Sequence, residues 1–258
     1  MTDGPVRLAD GSMDRMTTSP LSAQFQAQAD LFLRALHDWE QQLANLSWQD
    51  LAGPARDGQV VVLSVDMING FCHEGALSSP RVEGIIPAVV DVFEGAYEAG
   101  VRQFILAQDA HTPDATEFAQ FPPHCVRGTS EADNIPELAR LPFADLYTTV
   151  QKNSLSGFHG TGLAGWLEEQ RDLQAAIIVG DCTDLCIYQM AMHLKLYANA
   201  HNLPLRVIVP ANAVQTYDTP VAAAQQLGIL PHDGDVLNLI FLYHMALNGI
   251  EVVRNIQR

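Results

Sequence analysis

The sequence predicts an α/β fold: a parallel sheet covered by helices on both faces. Three observations carry this expectation. From residue 59 onward, short β-branched runs alternate with helical segments, the pattern of parallel strands joined by right-handed crossovers. The runs VVVLSVD (60–66) and AAIIVGD (175–181) are almost unbroken in apolar residues, as strands buried on both faces are. Hydrophobic residues make up 48% of the 258 positions and charged residues only 17%, so a core large enough for such a sheet can form.

Residues 1–18 are polar and rich in Gly, Ser and Thr and read as a loose tail. Ser19 then offers an N-cap and Pro20 a first helical position. Phe25, Ala29, Phe32, Leu36, Trp39, Leu43 and Leu46 recur at alternating four- and three-residue steps, one apolar seam on a long helix. That seam suits a helix lying on its own domain. Its period of about 3.5 residues also suits a contact between helices of two copies in a homo-oligomer. Gly53-Pro54 and Asp57-Gly58 mark a break, dividing an N-terminal extension (1–57) from a main domain (58–258).

Within the main domain, strands are expected at 60–66, 101–109, 145–152, 175–181, 205–210 and 250–253. Helices are expected at 85–100, closed by Gly100, at 185–200 and at 236–249.

The charge narrows the partners. Thirty acidic against 14 basic residues give a formal charge of -16, the wrong sign for gripping phosphates. Nucleic acid and anionic membranes are therefore excluded, and a small molecule is the expected ligand. No apolar stretch approaches the ~20 residues of a membrane span, and residues 1–20 lack the apolar core of a secretory signal. A cytoplasmic protein with free thiols at Cys72, Cys125, Cys182 and Cys186 is expected.

Asp66, Asp109 and Lys152 each fall at the carboxyl end of an expected strand, and Cys186 opens the helix after the fourth. Ligand crevices of open α/β sheets form at that edge. A thiol at a helix N-terminus, beside a lysine, is expected to have its pKa lowered toward neutrality. Asp66 is placed to take the thiol proton and return it to a leaving amine. Taken singly, Cys186 also suits a small packing residue and Asp66 a turn former. Cys182 reads as a tightly packed residue. After the second strand, Asp109, His111, Glu117 and His124 lie within sixteen residues. Two imidazoles and two carboxylates suit zinc, manganese or iron, although the spacing alone fits a polar surface loop as well.

The segments VDMINGFC (65–72), QDAHTPDATEFAQFPPHCVRGT (108–129), KNSLSGFHGT (152–161) and VGDCTDLCIYQMA (179–191) resemble the isochorismatase-like cysteine hydrolases. Among these the chain is most similar to the metal-dependent nicotinamidases, over roughly residues 59–215. The resemblance implies a three-layer α/β/α fold on a six-stranded parallel sheet. It implies Asp66, Lys152 and Cys186 as catalytic residues, and Asp109, His111, Glu117 and His124 as ligands of a divalent metal. It further implies Phe71 and Phe121 as walls around the substrate ring, an oxyanion hole from the N–H groups of Cys182 and Cys186, and a cis peptide at Asp181–Cys182.

Two departures touch the substrate rather than the chemistry: KNSLSGF follows the wider superfamily, and Glu117 stands where some members carry histidine. The expected activity is hydrolysis of nicotinamide to nicotinate and ammonia through a thioester. Another small amide, a carbamoyl compound or a vinyl ether is the alternative substrate, and a non-catalytic metal-binding scaffold the alternative role.

Overall fold

The computed structural model describes residues 20–52 and 58–258. The expected tail over 1–18, the cap at Ser19 and the breakers Gly53, Pro54 and Asp57 lie outside these residues. The first helix, α1 (Ala23–Gln41), starts later than Pro20. Its cap is Ser22, whose hydroxyl oxygen accepts from the Phe25 N–H at 3.1 Å. It also stops short of Leu43 and Leu46, because Arg254 takes the carbonyls of Gln41 and Leu43, partners that no local spacing reveals.

There follow β1 (Leu46–Ser47), α2 (Trp48–Ala52), β2 (Val60–Val65), α3 (Asn69–Cys72), α4 (Pro80–Glu83), α5 (Ile86–Glu98), β3 (Gln103–Asp109), α6 (Pro136–Ala139) and β4 (Tyr147–Lys152). The chain continues through α7 (Leu163–Glu169), β5 (Ala175–Asp181), α8 (Cys186–His201), β6 (Arg206–Pro210), β7 (Val214–Gln215), α9 (Val221–Leu227), α10 (Gly234–Leu247), β8 (Glu251–Val253) and β9 (Ile256–Gln257).

All six expected strands are present in one parallel sheet, in the order β4-β3-β2-β5-β6-β8. Strand β4 begins at Tyr147 rather than at Asp145, because 144–146 form a turn of 3₁₀ helix. Strand β7, too short for a periodic signal, pairs with the end of β5 through Gly180 and Asp181 as a seventh member. The last helix opens at Gly234 rather than at Val236, since the Asp233 carboxylate accepts from the Val236 N–H at 3.0 Å.

The two faces of the sheet carry separate cores, which explains the unbroken apolar runs. Val60 and Val62 of β2 face Phe93 and Phe104 with α5; Val61, Leu63 and Val65 face Ile187, Met190 and Leu194 of α8. Gly180 has a positive φ of 115°, and any side chain there would run into the Val65 carbonyl. The backbones of β2 and β5 therefore approach closely just before the point where both release functional side chains.

Trp48 and Leu51 of α2 sink into the core, Trp48 in the space left by the missing side chain of Gly95. Helix α1 lies on α10, with Leu36 buried and Phe32 and Trp39 meeting Tyr243 edge-on at 5.9 and 5.2 Å. Phe25 and Leu31 on its outer turns are exposed. No helix among the described residues is long and apolar enough to cross a membrane.

Candidate active site

Adjacent parallel strands deliver their carboxyl ends to one rim, and register does the alignment. Asp109 sits directly beside Lys152 across β3 and β4, while Asp66 follows β2 and donates its N–H to the Ala107 carbonyl at 2.9 Å. Asp66 adopts a left-handed backbone with φ of 55°, a conformation that costs roughly 1–3 kcal/mol away from glycine. From there its Oδ1 accepts the Asp109 N–H at 2.7 Å.

Lys152 is fully buried and holds the cluster together. Its Nζ lies 2.7 Å from Asp109 Oδ1, 2.8 Å from Asp66 Oδ2 and 3.5 Å from Cys186 Sγ. The contact to Asp66 is one of charge, outside hydrogen-bond direction, so Asp66 Oδ2 is a buried acceptor with no hydrogen-bond partner. Carboxylate oxygens of Asp66 and Asp109 and the Cys186 sulfur all lie within 4.8 Å of one another.

One ammonium serving two carboxylates and a thiol sets the electrostatics. Burial, then the charge of Asp109, pushes Asp66 up to about 6 in spite of Lys152. Burial works against ionised Asp109 too, but the charge of Lys152, with His111 and His124 alongside, holds it well below the usual carboxylate range. Burial alone would discharge Lys152, yet Asp109 and Asp66 keep it firmly protonated.

Cys186 departs from the sequence expectation. Burial pushes its thiol well above the ordinary value. Lys152 pulls it down, and Asp66 and Asp109 push it up again. The neighbouring lysine faces two anions as well as the sulfur. The balance favours the thiol over the thiolate.

On the β3 side, the ligating atoms of Asp109, His111 and His124 lie within 4.8 Å of one another. His111 Nε2 stands 3.4 Å from Asp109 Oδ1 and 3.9 Å from Glu117 Oε1, and His124 Nε2 stands 3.8 Å from Asp109 Oδ2. Each imidazole turns its Nδ1 outward to an acceptor: His111 to Asn153 Oδ1 at 3.2 Å and His124 to the Pro122 carbonyl at 2.8 Å. That arrangement aims both Nε2 lone pairs inward, as supported metal ligands do. His111 Nε2 and Glu117 Oε1 are buried without a hydrogen-bond partner. Donors around a tetrahedral cation with bonds near 2.1 Å stand about 3.4 Å apart, so the residues present fit a divalent ion.

Phe71 and Phe121 both meet the His124 ring edge-on, at 5.6 and 6.3 Å, and line one cavity of about 620 Å³ together with Asp66, Asp109, Cys182 and Cys186. The Asp181–Cys182 peptide is cis. The Cys182 carbonyl accepts from the N–H groups of Leu185 and Ile187, winding the connection tightly ahead of Cys186.

Sequence reasoning missed Asn153, the outer support of His111, whose only signal is its place next to Lys152. It placed Asp181 only in the cis peptide and not at the cavity, which it lines with its carboxyl pushed well above the ordinary value by burial and the charge of Asp66. It also missed Tyr217 and His232, which wall the cavity from beyond β7.

The isochorismatase domain family matches residues 60–228. Nicotinamidase 1 of Arabidopsis thaliana is 30% identical over 217 residues, covering 78% of this chain and 88% of that protein. The nicotinamidase/pyrazinamidase of Mycobacterium tuberculosis is 31% identical over 179 residues, covering 64% and 92%. Among solved structures, the pyrazinamidase of Pyrococcus horikoshii in complex with zinc superposes with a TM-score of 0.58 at 23% identity, covering 76% of this chain and 99% of that one.

Proposed function

Because the chain belongs to the isochorismatase domain family, we propose that it is a nicotinamidase-like cysteine amidohydrolase, releasing ammonia from nicotinamide through a thioester on Cys186. The observation that carries this is Lys152 Nζ, in contact with Asp66, Asp109 and Cys186 at once, next to inward-facing donors for a cation. We assign the reaction to residues 58–258, with 1–57 as an extension.

Asp66 Oδ2, free of hydrogen bonds, takes the Cys186 proton as the sulfur attacks the carboxamide carbon. Lys152 balances the negative charge as it moves from carboxylate to sulfur. The backbone N–H groups of Cys182 and Cys186 receive the oxyanion, a contribution worth about 10²–10³ in rate for each donor. Collapse breaks the C–N bond, and ammonia leaves with the proton stored on Asp66. A water molecule then gives its proton to Asp66 and attacks the thioester, freeing nicotinate and restoring the thiol.

Asp109, His111, Glu117 and His124 would hold a divalent ion, zinc by the donor set and by the zinc of the Pyrococcus horikoshii relative, with manganese and iron as alternatives. Such an ion supplies a Lewis acid for the pyridine nitrogen. Phe71 and Phe121 flank the ring with flat apolar faces.

The test is ammonia release from nicotinamide, read against metal content. Chelation, or His124→Ala, is expected to lower metal occupancy and turnover together, by 10-fold or more on the scale of lost metal-site groups (roughly 10–100-fold). Full turnover in metal-free protein rules out a catalytic role for the ion.

Asp66 works as a base only when ionised, so kcat/KM is expected to fall as pH drops through about 6, the value to which burial raises it. A pH profile whose acid limb lies near 4, the ordinary carboxylate range, removes Asp66 from that role.

A further inference from the structure

The cavity is wider than a single pyridine carboxamide requires, and sheet order fixes its two ends. Glu117, Phe121 and His124 belong to the loop after β3, whereas Tyr217, Leu227, Ile229, Leu230 and His232 come from the segment after β7. Strands β3, β2, β5 and β7 are successive neighbours, so the two ends stand three strand spacings apart, about 14 Å. Asp66 after β2 and Cys186 after β5 lie between them. The volume of about 620 Å³ falls in the ~300–1,000 Å³ range of pockets that enclose drug-sized ligands.

The far wall is firmly built. Asp184, in the turn ahead of Cys186, accepts the Thr216 hydroxyl at 2.6 Å on Oδ1 and faces His232 Nε2 at 2.8 Å with Oδ2. The other ring nitrogen of His232 faces the Tyr217 carbonyl at 3.0 Å, and the ring stacks on Tyr217 at 3.8 Å. Thr219 and His232 exchange both backbone hydrogen bonds, and Asp218 accepts the Gly234 N–H at 2.8 Å. The segment between is thus pinned at its neck to the turn that carries the nucleophile. Beyond that neck, Leu227 and Leu230 are 69% and 49% exposed, yet both border the cavity, as do Leu185 and Ile229. The Cys186 thiol borders this same space.

We infer that the substrate class is a ring-substituted aromatic carboxamide, carrying an apolar group that extends from the ring toward β7 and rests on Leu185, Leu227, Ile229 and Leu230. The inference rests on the amidase reading above and leaves its stoichiometry unchanged: the amide and water yield the substituted acid and ammonia.

The experiment measures kcat/KM for ammonia release by the metal-loaded protein, with nicotinamide and with pyridine-3-carboxamides bearing methyl, propyl or phenyl at the ring position meta to the amide. The constant is expected to rise about threefold to fourfold per added methylene, the equivalent of ~0.8 kcal/mol per buried CH₂. Leu227→Asp and Leu230→Asp, both at exposed positions that tolerate a charge, are expected to cut the ratio of the phenyl compound to nicotinamide at least about tenfold, since a charge replaces apolar contact. Turnover of nicotinamide with substituents that lower kcat/KM, or a rise that both variants leave intact, overturns the inference and leaves the amidase reading standing. Absence of turnover across the whole series overturns both.

Discussion

Cys186→Ala is expected to abolish ammonia release from nicotinamide, lowering kcat by at least about 10⁴-fold, the scale seen when a nucleophile that acts as one unit with its base is removed. No other sulfur can take its place: Cys72 and Cys125 are buried away from the rim, and Cys182, although it borders the cavity, has its Sγ 3.5 Å from Asp181 Oδ2. The proposed metal ligands Asp109, His111, Glu117 and His124 are untouched by the change, so metal content is expected to stay at the wild-type level. Acid quenching during turnover should trap a nicotinoyl adduct on the wild-type protein, visible by mass spectrometry and missing from the variant. An active alanine variant ends the thioester mechanism.

The second large effect is on stability. Lys152→Met removes the ammonium that bridges Asp66 and Asp109, both buried to 1% exposure. Breaking a buried ion pair by deleting one partner costs roughly 3–5 kcal/mol. At about 2–4 °C per kcal/mol for a chain of this size, the midpoint of thermal unfolding is expected to fall by about 10 °C.

The loss should depend on pH, and the sign follows from Asp66. Lys152 is among the groups that lower the Asp66 pKa, so its removal drives that value above the already raised one. A group whose folded pKa is raised stabilises the fold below its unfolded pKa and forfeits that stability as pH rises through the folded value. The variant should therefore lose more at about pH 8 than at about pH 5. Calorimetry at both conditions decides the matter. A fall of under about 2 °C at pH 8 would show that the two carboxylates do not depend on the lysine.

Much of the fold was legible because its signals are local. Unbroken apolar runs marked β2 and β5 as buried on both faces, and the candidate site residues Asp66, Asp109 and Lys152 could be placed by strand ends alone. The missed features all depend on partners far away in sequence. Arg254 ends α1 by binding the carbonyls of Gln41 and Leu43, and β1 pairs with β9; neither segment betrays the other. Asp184 and His232 face each other across the cavity neck with no shared motif. The direction of the Cys186 shift was misread for a related reason. A lysine near a thiol lowers its pKa in isolation, whereas here the same lysine answers to two carboxylates and the thiol itself is buried.

The close passage of β2 beside β5, for which Gly180 is required, also governs when the molecule becomes competent. Val60 finds its partner Ala175 more than a hundred residues later, and pairings of that span are slow to form. Asp66, Asp109 and Lys152 all precede β5 in the chain and Cys186 follows it, so the cluster around Lys152 closes only once β5 has joined β2.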